Sequence, residues 1–190
     1  MDVSVLLISG SLREQSSNSA ALRTAAELAP EGIRTVFYEG MGELPHFNPD
    51  DDAEGVAPHP AVAALRRGIA EADALLICTP EYAGALPGAL KNLLEWTIGD
   101  AGTYRKPVGW INVSGPAAPT GGADAHDSLR KVLRYAHADL VEAACVRVPL
   151  ERSAVGPDGV VTDPEARAGI ARALDELARH VRESAPSADA

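Results

Sequence analysis

The chain has 190 residues, of which 46% are apolar and 23% charged, and this balance suits one globular domain with a sizeable core. Its formal charge is −10 at pH 7, which disfavours nucleic acid and anionic membrane surfaces as partners. No apolar run approaches the roughly 20 residues that a membrane span needs, and segment 2–8 does not suit a secretion signal, so we expect a cytoplasmic protein.

Predicted strands and helices alternate along the chain. Short apolar runs that end at a turn are typical of buried parallel strands, and amphipathic Ala- and Leu-rich segments are typical of helices. The predicted strands cover 3–8, 33–38, 74–78, 107–113 and 140–148. The predicted helices cover 20–28, 62–72, 87–96, 125–137 and 165–182, and segment 39–60 is predicted to be a loop.

This alternation predicts a single α/β domain over residues 1–183, with a frayed tail over 184–190. Such a chain folds as a three-layer sandwich, in which helices cover both faces of a five-stranded parallel sheet. Ligands of such sheets bind beyond the carboxyl ends of the strands, where the strand order reverses. The loops after the first, third and fourth strands are therefore the predicted site.

The loop after the first strand carries the donors that a phosphate group needs. Segment Gly10–Asn18 reads GSLREQSSN and lies between a buried strand and the start of a helix. Its hydroxyl and amide groups, the Arg13 guanidinium and the helix N-terminus together suit a dianionic phosphate. It has neither the GxxxxGK nor the GxGxxG pattern. The alternative is a Ser-rich turn that only caps the helix.

The loops after the third and fourth strands suit a flat ligand. In segment Thr79–Trp96, TPEYAGALPGALKNLLEW, Pro80 fixes the chain and Tyr82 offers a flat ring, while small residues let the backbone approach a planar group. Segment Val113–Gly122, VSGPAAPTGG, has no charged side chain. The alternative for each segment is a plain connection between a strand and a helix.

These motifs carry a family resemblance. GSLRxxSxN after the first strand, followed by PEYxxxxPGxLKNxxEW after the third, resembles the NADPH-dependent FMN reductase family over about residues 3–148. The resemblance implies a flavodoxin-like fold with strand order 2-1-3-4-5, FMN as the cofactor and NADPH or NADH as the co-substrate. It also implies a homodimer or a homotetramer.

The resemblance further implies which residues bind the cofactor. Those on the FMN phosphate are Ser11, Arg13, Ser16, Ser17 and Asn18. Those beside the ribityl chain and the flavin ring are Pro80, Glu81, Tyr82 and Ala83, with Ser114 and Gly115 at the other edge of the ring. We expect no catalytic side chain, because FMN carries the chemistry. We also expect no metal site, because the histidines and acidic residues of segment 39–60 lack a ligand spacing.

The sequence departs from the family pattern in the same loops. Ala83 and Ala85 stand where family members commonly carry Asn and Ser, and Asp124 stands where they often carry Arg. Elsewhere, Asn92 is predicted to be structural and His126 to be a solvated helix residue. The two cysteines, Cys78 and Cys145, lie in apolar stretches and are predicted to be reduced core thiols.

The function implied by the resemblance is ping-pong hydride transfer from a nicotinamide nucleotide to FMN and then to a small acceptor. The acceptor classes are quinones, azo compounds, metal oxyanions and free flavin. The alternative is a non-enzymatic flavodoxin-type carrier that exchanges electrons with a protein partner. The acidic charge suits a carrier, whereas the Val113–Gly122 loop has no aromatic residue to shield a flavin.

Overall fold

The computed structural model of the protein describes residues 2–115 and 117–184, and within them strands and helices alternate as predicted. The strands are β1 (Val3–Ser9), β2 (Ile33–Tyr38), β3 (Ala74–Cys78), β4 (Pro107–Asn112) and β5 (Asp139–Arg147). The helices are α1 (Ser17–Glu27), α2 (Pro60–Glu71), α3 (Gly88–Glu95), α4 (Ala123–Tyr135) and α5 (Pro164–Ser184). Of the predicted tail, Ser184 ends α5 and residues 185–190 lie outside the described residues.

The strands form one parallel sheet in the order β2-β1-β3-β4-β5, which confirms the predicted flavodoxin-like topology. The chain leaves β1 for the edge strand β2 and then returns past β1 to β3. The strand order therefore reverses between β1 and β3, so the loops that follow these two strands diverge. A crevice opens at this point, at the carboxyl end of the sheet.

Successive side chains of a strand point to opposite faces of the sheet, and helices bury the central strands on both faces. In β1, Val5 and Leu7 pack beneath α1 and α5, whereas Leu6 and Ile8 pack beneath α2, α3 and α4. All residues of β3 are buried. The central strands thus give the loops at their carboxyl ends a rigid base. No helix in the described part of the chain is long and apolar enough to cross a membrane.

The predicted loop 39–60 has more structure than its composition indicates. It contains two 3-10 helices, Gly40–Glu43 and Pro49–Asp52. The Asn92 side chain accepts a hydrogen bond from the Phe47 N–H at 2.8 Å and donates one to the Pro45 carbonyl at 2.9 Å. The structural role predicted for Asn92 is therefore confirmed, and this segment is fixed against α3.

Candidate active site

A cleft of about 680 Å³ lies beyond the carboxyl ends of β1, β3 and β4, and this volume is typical of small-molecule sites. The implied cofactor-binding residues that line it are Ser11, Arg13, Ser16, Ser17, Asn18, Pro80, Tyr82, Ser114 and Gly115. The other lining residues are Val113, Ala117, Ala118, Leu150, Glu151, Arg152 and Ser153. Pro116, in the same loop as Ala117, lies outside the described residues.

The cleft has two chemically different ends. The polar end is lined by Ser11, Arg13, Ser16, Ser17 and Asn18. The Tyr82 end is lined by Tyr82, Ser114, Gly115, Ala117 and Ala118. Hydroxyl groups and a guanidinium can hold an anion at the first end, and small side chains leave room for a flat ring at the second.

The polar end is shaped by the way the chain enters α1. Ser16 is the N-cap of α1, and its Oγ accepts hydrogen bonds from the Asn18 N–H at 3.1 Å and from Asn18 Nδ2 at 3.2 Å. Ser11 Oγ accepts a hydrogen bond from the Arg13 N–H at 3.3 Å. The helix-cap interpretation of this segment is therefore confirmed for Ser16. The same serine caps the helix and lines the cleft.

Asn112, the last residue of β4, ties together the two loops of the Tyr82 end. Its buried side chain donates to the Thr79 carbonyl at 2.8 Å and accepts from the Ser114 N–H at 2.9 Å. Gly122 passes over it with φ of +83°, and a Cβ there would lie 2.0 Å from Asn112 Oδ1. Only a glycine can therefore occupy position 122 without moving this amide.

Glu81 provides a second link between the same loops. Its Oε1 accepts from Thr120 Oγ1 at 2.5 Å, and its Oε2 accepts from the Ala125 N–H at 3.1 Å in the first turn of α4. A carboxylate is favourable at this position because the helix N-terminus carries partial positive charge. Neither Glu81 nor Ala83 is among the described residues that line the cleft. The contacts implied for these two residues stay predictions, and the Glu81 carboxylate is already engaged by the protein.

Tyr82 is held at the rim of the cleft by a tight turn. It exchanges two backbone hydrogen bonds with Ala85, at 3.0 and 3.1 Å. The central residues, Ala83 and Gly84, both have positive φ, +51° and +70°, as in a type I′ turn. Tyr82 itself is 49% exposed. Asp124 Oδ2 would lie 3.7 Å from a Cβ on Gly84, so this acidic group stands beside the turn.

The loop after β5 completes the cleft, and the predicted site did not include it. Leu150, Glu151, Arg152 and Ser153 all line the cleft. Because β5 pairs with β4, its carboxyl end lies at the same edge of the sheet. Two features of the sequence could have indicated this loop: the predicted strand order and the polar sequence ERS at 151–153. Arg152 adds a second guanidinium to the cleft.

The solvated position predicted for His126 is wrong. Within α4, His126 precedes the buried Leu129 and Leu133 by three and seven residues, so it lies on their face of the helix, toward the sheet, and is only 7% exposed. The ring packs edge-on against Trp110, with the two centroids 5.7 Å apart. Burial, followed by the charges of Arg130 and Arg147, lowers the pKa of His126 to about 4. The residue is therefore neutral at pH 7, and its ring packs α4 against β4.

The described lining of the cleft contains no histidine or cysteine, and its only carboxylate is that of Glu151. Of the predicted core thiols, Cys78 is buried and Cys145 half-buried, and both are free. Burial raises the pKa of the Cys78 thiol and raises the pKa of Cys145 to about 12. Neither cysteine is a thiolate at neutral pH. The cleft can bind and orient a ligand, but its chemistry must come from that ligand.

The groups in the cleft fit FMN. A flavin mononucleotide is a flat ring joined by a polar chain to a dianionic phosphate. The polar end offers buried hydroxyls from Ser11 and Ser16 and the guanidinium of Arg13, and Arg152, from the loop after β5, adds a second positive charge to the cleft. The Tyr82 end offers one aromatic ring together with small side chains. This donor set matches the two ends of FMN in polarity and in size.

Residues 3–151 match the model of a protein family described as NADPH-dependent FMN reductase. The chain is 36% identical over 183 residues to an NAD(P)H-dependent FMN reductase from Pseudomonas aeruginosa, covering 95% of this chain and 96% of the relative. It is 32% identical over 187 residues to a 2-hydroxy-1,4-benzoquinone reductase from a Burkholderia species, covering 96% and 98%. The solved FerB flavoenzyme from Paracoccus denitrificans, an NAD(P)H:(acceptor) oxidoreductase, superposes with a TM-score of 0.74 at 26% identity, over 94% of this chain and 98% of FerB.

Proposed function

The chain belongs to the NADPH-dependent FMN reductase family, and from that premise we propose that it reduces a quinone or a similar small acceptor in the cleft described above. It is an enzyme with FMN as the cofactor and a reduced nicotinamide nucleotide as the co-substrate. This sets aside the alternative of a non-enzymatic electron carrier. The observation that carries the proposal is the position of a cleft with one cationic, hydroxyl-rich end and one small-residue end at the β1/β3 crevice.

We assign the phosphate of FMN to the polar end. There Ser11, Ser16 and Ser17 supply hydroxyl groups, and Arg13 supplies a charged donor. Charged donors give stronger hydrogen bonds to phosphate than neutral ones do. When bound, FMN supplies the two-electron redox chemistry between the reduced nicotinamide and the acceptor.

We assign the flavin ring to the Tyr82 end. Tyr82 could cover one face of the bound ring, and the other described side chains at this end, among them Ala117 and Ala118, are too small to cover the second face. Hydride transfer needs the reacting atoms about 3–3.5 Å apart, so the nicotinamide must stack directly on an open face. The acceptor needs the same face. The oxidised nucleotide therefore leaves before the acceptor enters, which is a ping-pong mechanism.

Quinones are the acceptor class that we favour. The Burkholderia relative is named as a benzoquinone reductase, and it covers nearly the whole of this chain. A planar quinone also fits the small-residue surface formed by Gly115, Ala117 and Ala118. Azo compounds, metal oxyanions and free flavin are the competing acceptors to compare in the same assay.

The proposal is tested by anaerobic reduction and by initial rates. NADPH or NADH should bleach the bound flavin without an acceptor, and rates with a benzoquinone should give parallel double-reciprocal lines. The Ala117→Trp variant should lose most of its turnover while FMN affinity stays the same, because the new ring would occupy the open face. Ala70→Trp, on the exposed side of α2, is the matched control. Failure to bleach, or intersecting lines, would contradict the shared-face mechanism.

We also propose that the protein is a homodimer or a homotetramer. An apolar groove runs between α3 and α4, and its lining includes Leu94, Ile98, Val132 and Tyr135. Ile98 is 48% exposed and Tyr135 83% exposed in the single chain. A second copy would bury this surface. Light scattering should give a multiple of the 19.8 kDa chain mass, and a monomer at micromolar concentration would contradict the proposal.

A further inference from the structure

A second cavity, of about 270 Å³, adjoins the polar end of the cleft. Three residues line both spaces: Ser16, Ser17 and Arg152. The other residues that line the second cavity are Gln15, Arg23, Val155, Gly156, Pro157 and Gly159. A ligand whose phosphate lies at the polar end would therefore reach this cavity if it continued beyond that phosphate.

Arg23 is held in place at the wall of this cavity. Its Nε donates to the Gly159 carbonyl at 3.1 Å, which leaves the two terminal nitrogens available to a ligand. Gly159 has φ of +78°, and a Cβ there would lie 3.2 Å from Arg23 Nε, so the loop fits closely around the guanidinium. The Val161 N–H donates to Thr24 Oγ1 at 2.8 Å, which fixes the same loop to α1. The guanidinium is therefore oriented before any ligand binds.

The charge of the cavity is opposite to that of the whole protein. The chain carries −10 formal charges, and many of its arginines are paired with carboxylates. Within residues 2–115 and 117–184, neither Arg23 nor Arg152 forms a salt bridge, and no carboxylate lines the second cavity. Two guanidinium groups facing one small space favour an anion, and a planar guanidinium also stacks on aromatic rings.

We propose that this second cavity binds the adenosine-phosphate portion of a dinucleotide, with Arg23 and Arg152 on its phosphate and with Val155 and Pro157 against its base. This inference rests on the proposed function, because it takes the polar end as the place of the FMN phosphate. Two dinucleotides carry this chemistry. FAD would extend from the polar end through its second phosphate, and NADPH would reach the cavity with its adenosine phosphates.

The first arm of the test compares FAD with FMN. Apo-protein is titrated with each flavin by fluorescence quenching, in the wild type, in Arg23→Gln and in Arg67→Ala. The glutamine removes the charge but keeps a donor for the Gly159 carbonyl, and Arg67 is an exposed arginine on α2 that serves as the control for net charge. We expect Arg23→Gln to weaken FAD about threefold to tenfold while FMN stays within about twofold, and Arg67→Ala to change neither.

The second arm of the test asks whether the cavity binds NADPH. FMN-loaded protein is titrated calorimetrically with 2′,5′-ADP, a fragment of NADPH, in the same three proteins. A selective loss of 2′,5′-ADP binding in Arg23→Gln, with FAD unaffected, would assign the cavity to the nicotinamide nucleotide. If Arg23→Gln changes neither FAD nor 2′,5′-ADP binding, or weakens FMN equally, the proposal is wrong. Wild-type protein that does not bind FMN would instead overturn the proposed function.

Discussion

The polar end of the cleft is one continuous segment of chain, whereas the Tyr82 end is assembled from loops that are distant in sequence. Five residues of segment 11–18 line the polar end, and the path of the chain there follows from the Ser16 cap of α1. At the Tyr82 end, Asn112 and Glu81 join the loops after β3 and β4 through hydrogen bonds. Substitutions at the polar end should therefore change ligand affinity, and substitutions behind the Tyr82 end should change stability.

Gly122→Ala should give the largest effect. The new Cβ would lie 2.0 Å from Asn112 Oδ1, and φ at this residue is +83°. The Asn112 amide must then move and lose its hydrogen bonds to the Thr79 carbonyl and the Ser114 N–H. We therefore expect a loss of about 2–4 kcal/mol in the free energy of unfolding. Chemical denaturation of the apo-protein measures this loss.

Gly88→Ala is the matched control for that experiment. Gly88 begins α3, and a Cβ there would meet nothing within 4 Å. Alanine is a better helix former than glycine, so stability should stay the same or rise. Equal losses in the two variants would show that the Asn112 link does not hold the Tyr82 end together.

His126 should make the free energy of unfolding sensitive to acid. Its folded-state pKa of about 4 lies below the usual value of 6.5, so the unfolded chain binds the proton more readily. Its contribution to stability is complete above pH 6.5 and is lost as the pH falls toward 4, by on the order of 2 kcal/mol. His126→Phe keeps an aromatic ring against Trp110 and should flatten this part of the stability profile. Parallel stability–pH profiles for the wild type and His126→Phe would show that His126 does not cause this loss of stability.

Glu81→Gln should weaken the link between the two loops. One carboxylate oxygen becomes an NH₂ group that faces the Thr120 hydroxyl or the Ala125 N–H. We expect a loss of about 1 kcal/mol in unfolding free energy, because a partly buried acceptor is replaced by a donor. Thr120→Val should cost less on top of Glu81→Gln than it does alone. Additive losses would mean that the two side chains act independently.

Ala83→Asn should give the smallest change, and it should stabilise. Ala83 has φ of +51° in the turn that carries Tyr82, and Asn-Gly is the preferred pair in a type I′ turn. We expect a gain of about 0.5 kcal/mol in unfolding free energy. A loss of stability would show that the turn does not have this geometry in solution.

The same contrast explains what could be predicted from the sequence. The alternation of strands and helices follows from local patterns, whereas the strand order and the cofactor role of the cleft residues in segment 11–18 were implied by the family resemblance, which rests on contiguous motifs. The role of Asn112 could not be predicted, because an asparagine at the end of a strand shows no pattern until the neighbouring strand places the Thr79 carbonyl beside it. Arg152 was missed for the same reason, since its place depends on the pairing of β5 with β4.

His126 and Glu81 show how helix faces and tertiary partners limit such predictions. His126 shares the face of Leu129 and Leu133, three and seven residues further along α4, so it packs against the sheet although its imidazole is polar. Glu81 carries a family motif, yet its carboxylate contacts Thr120 and Ala125 rather than the cleft. A motif places a residue near a site, and tertiary contacts decide which way its side chain turns.

The central claim is that the polar end holds the phosphate of FMN, and titration of the apo-protein with FMN and riboflavin tests it most directly. FMN should bind at least about tenfold more tightly, since only FMN has a phosphate for Arg13 and the serines. Arg13→Ala should weaken FMN about tenfold to a hundredfold and leave riboflavin and the unfolding free energy unchanged. Equal affinities of the wild-type protein for FMN and riboflavin would contradict the account.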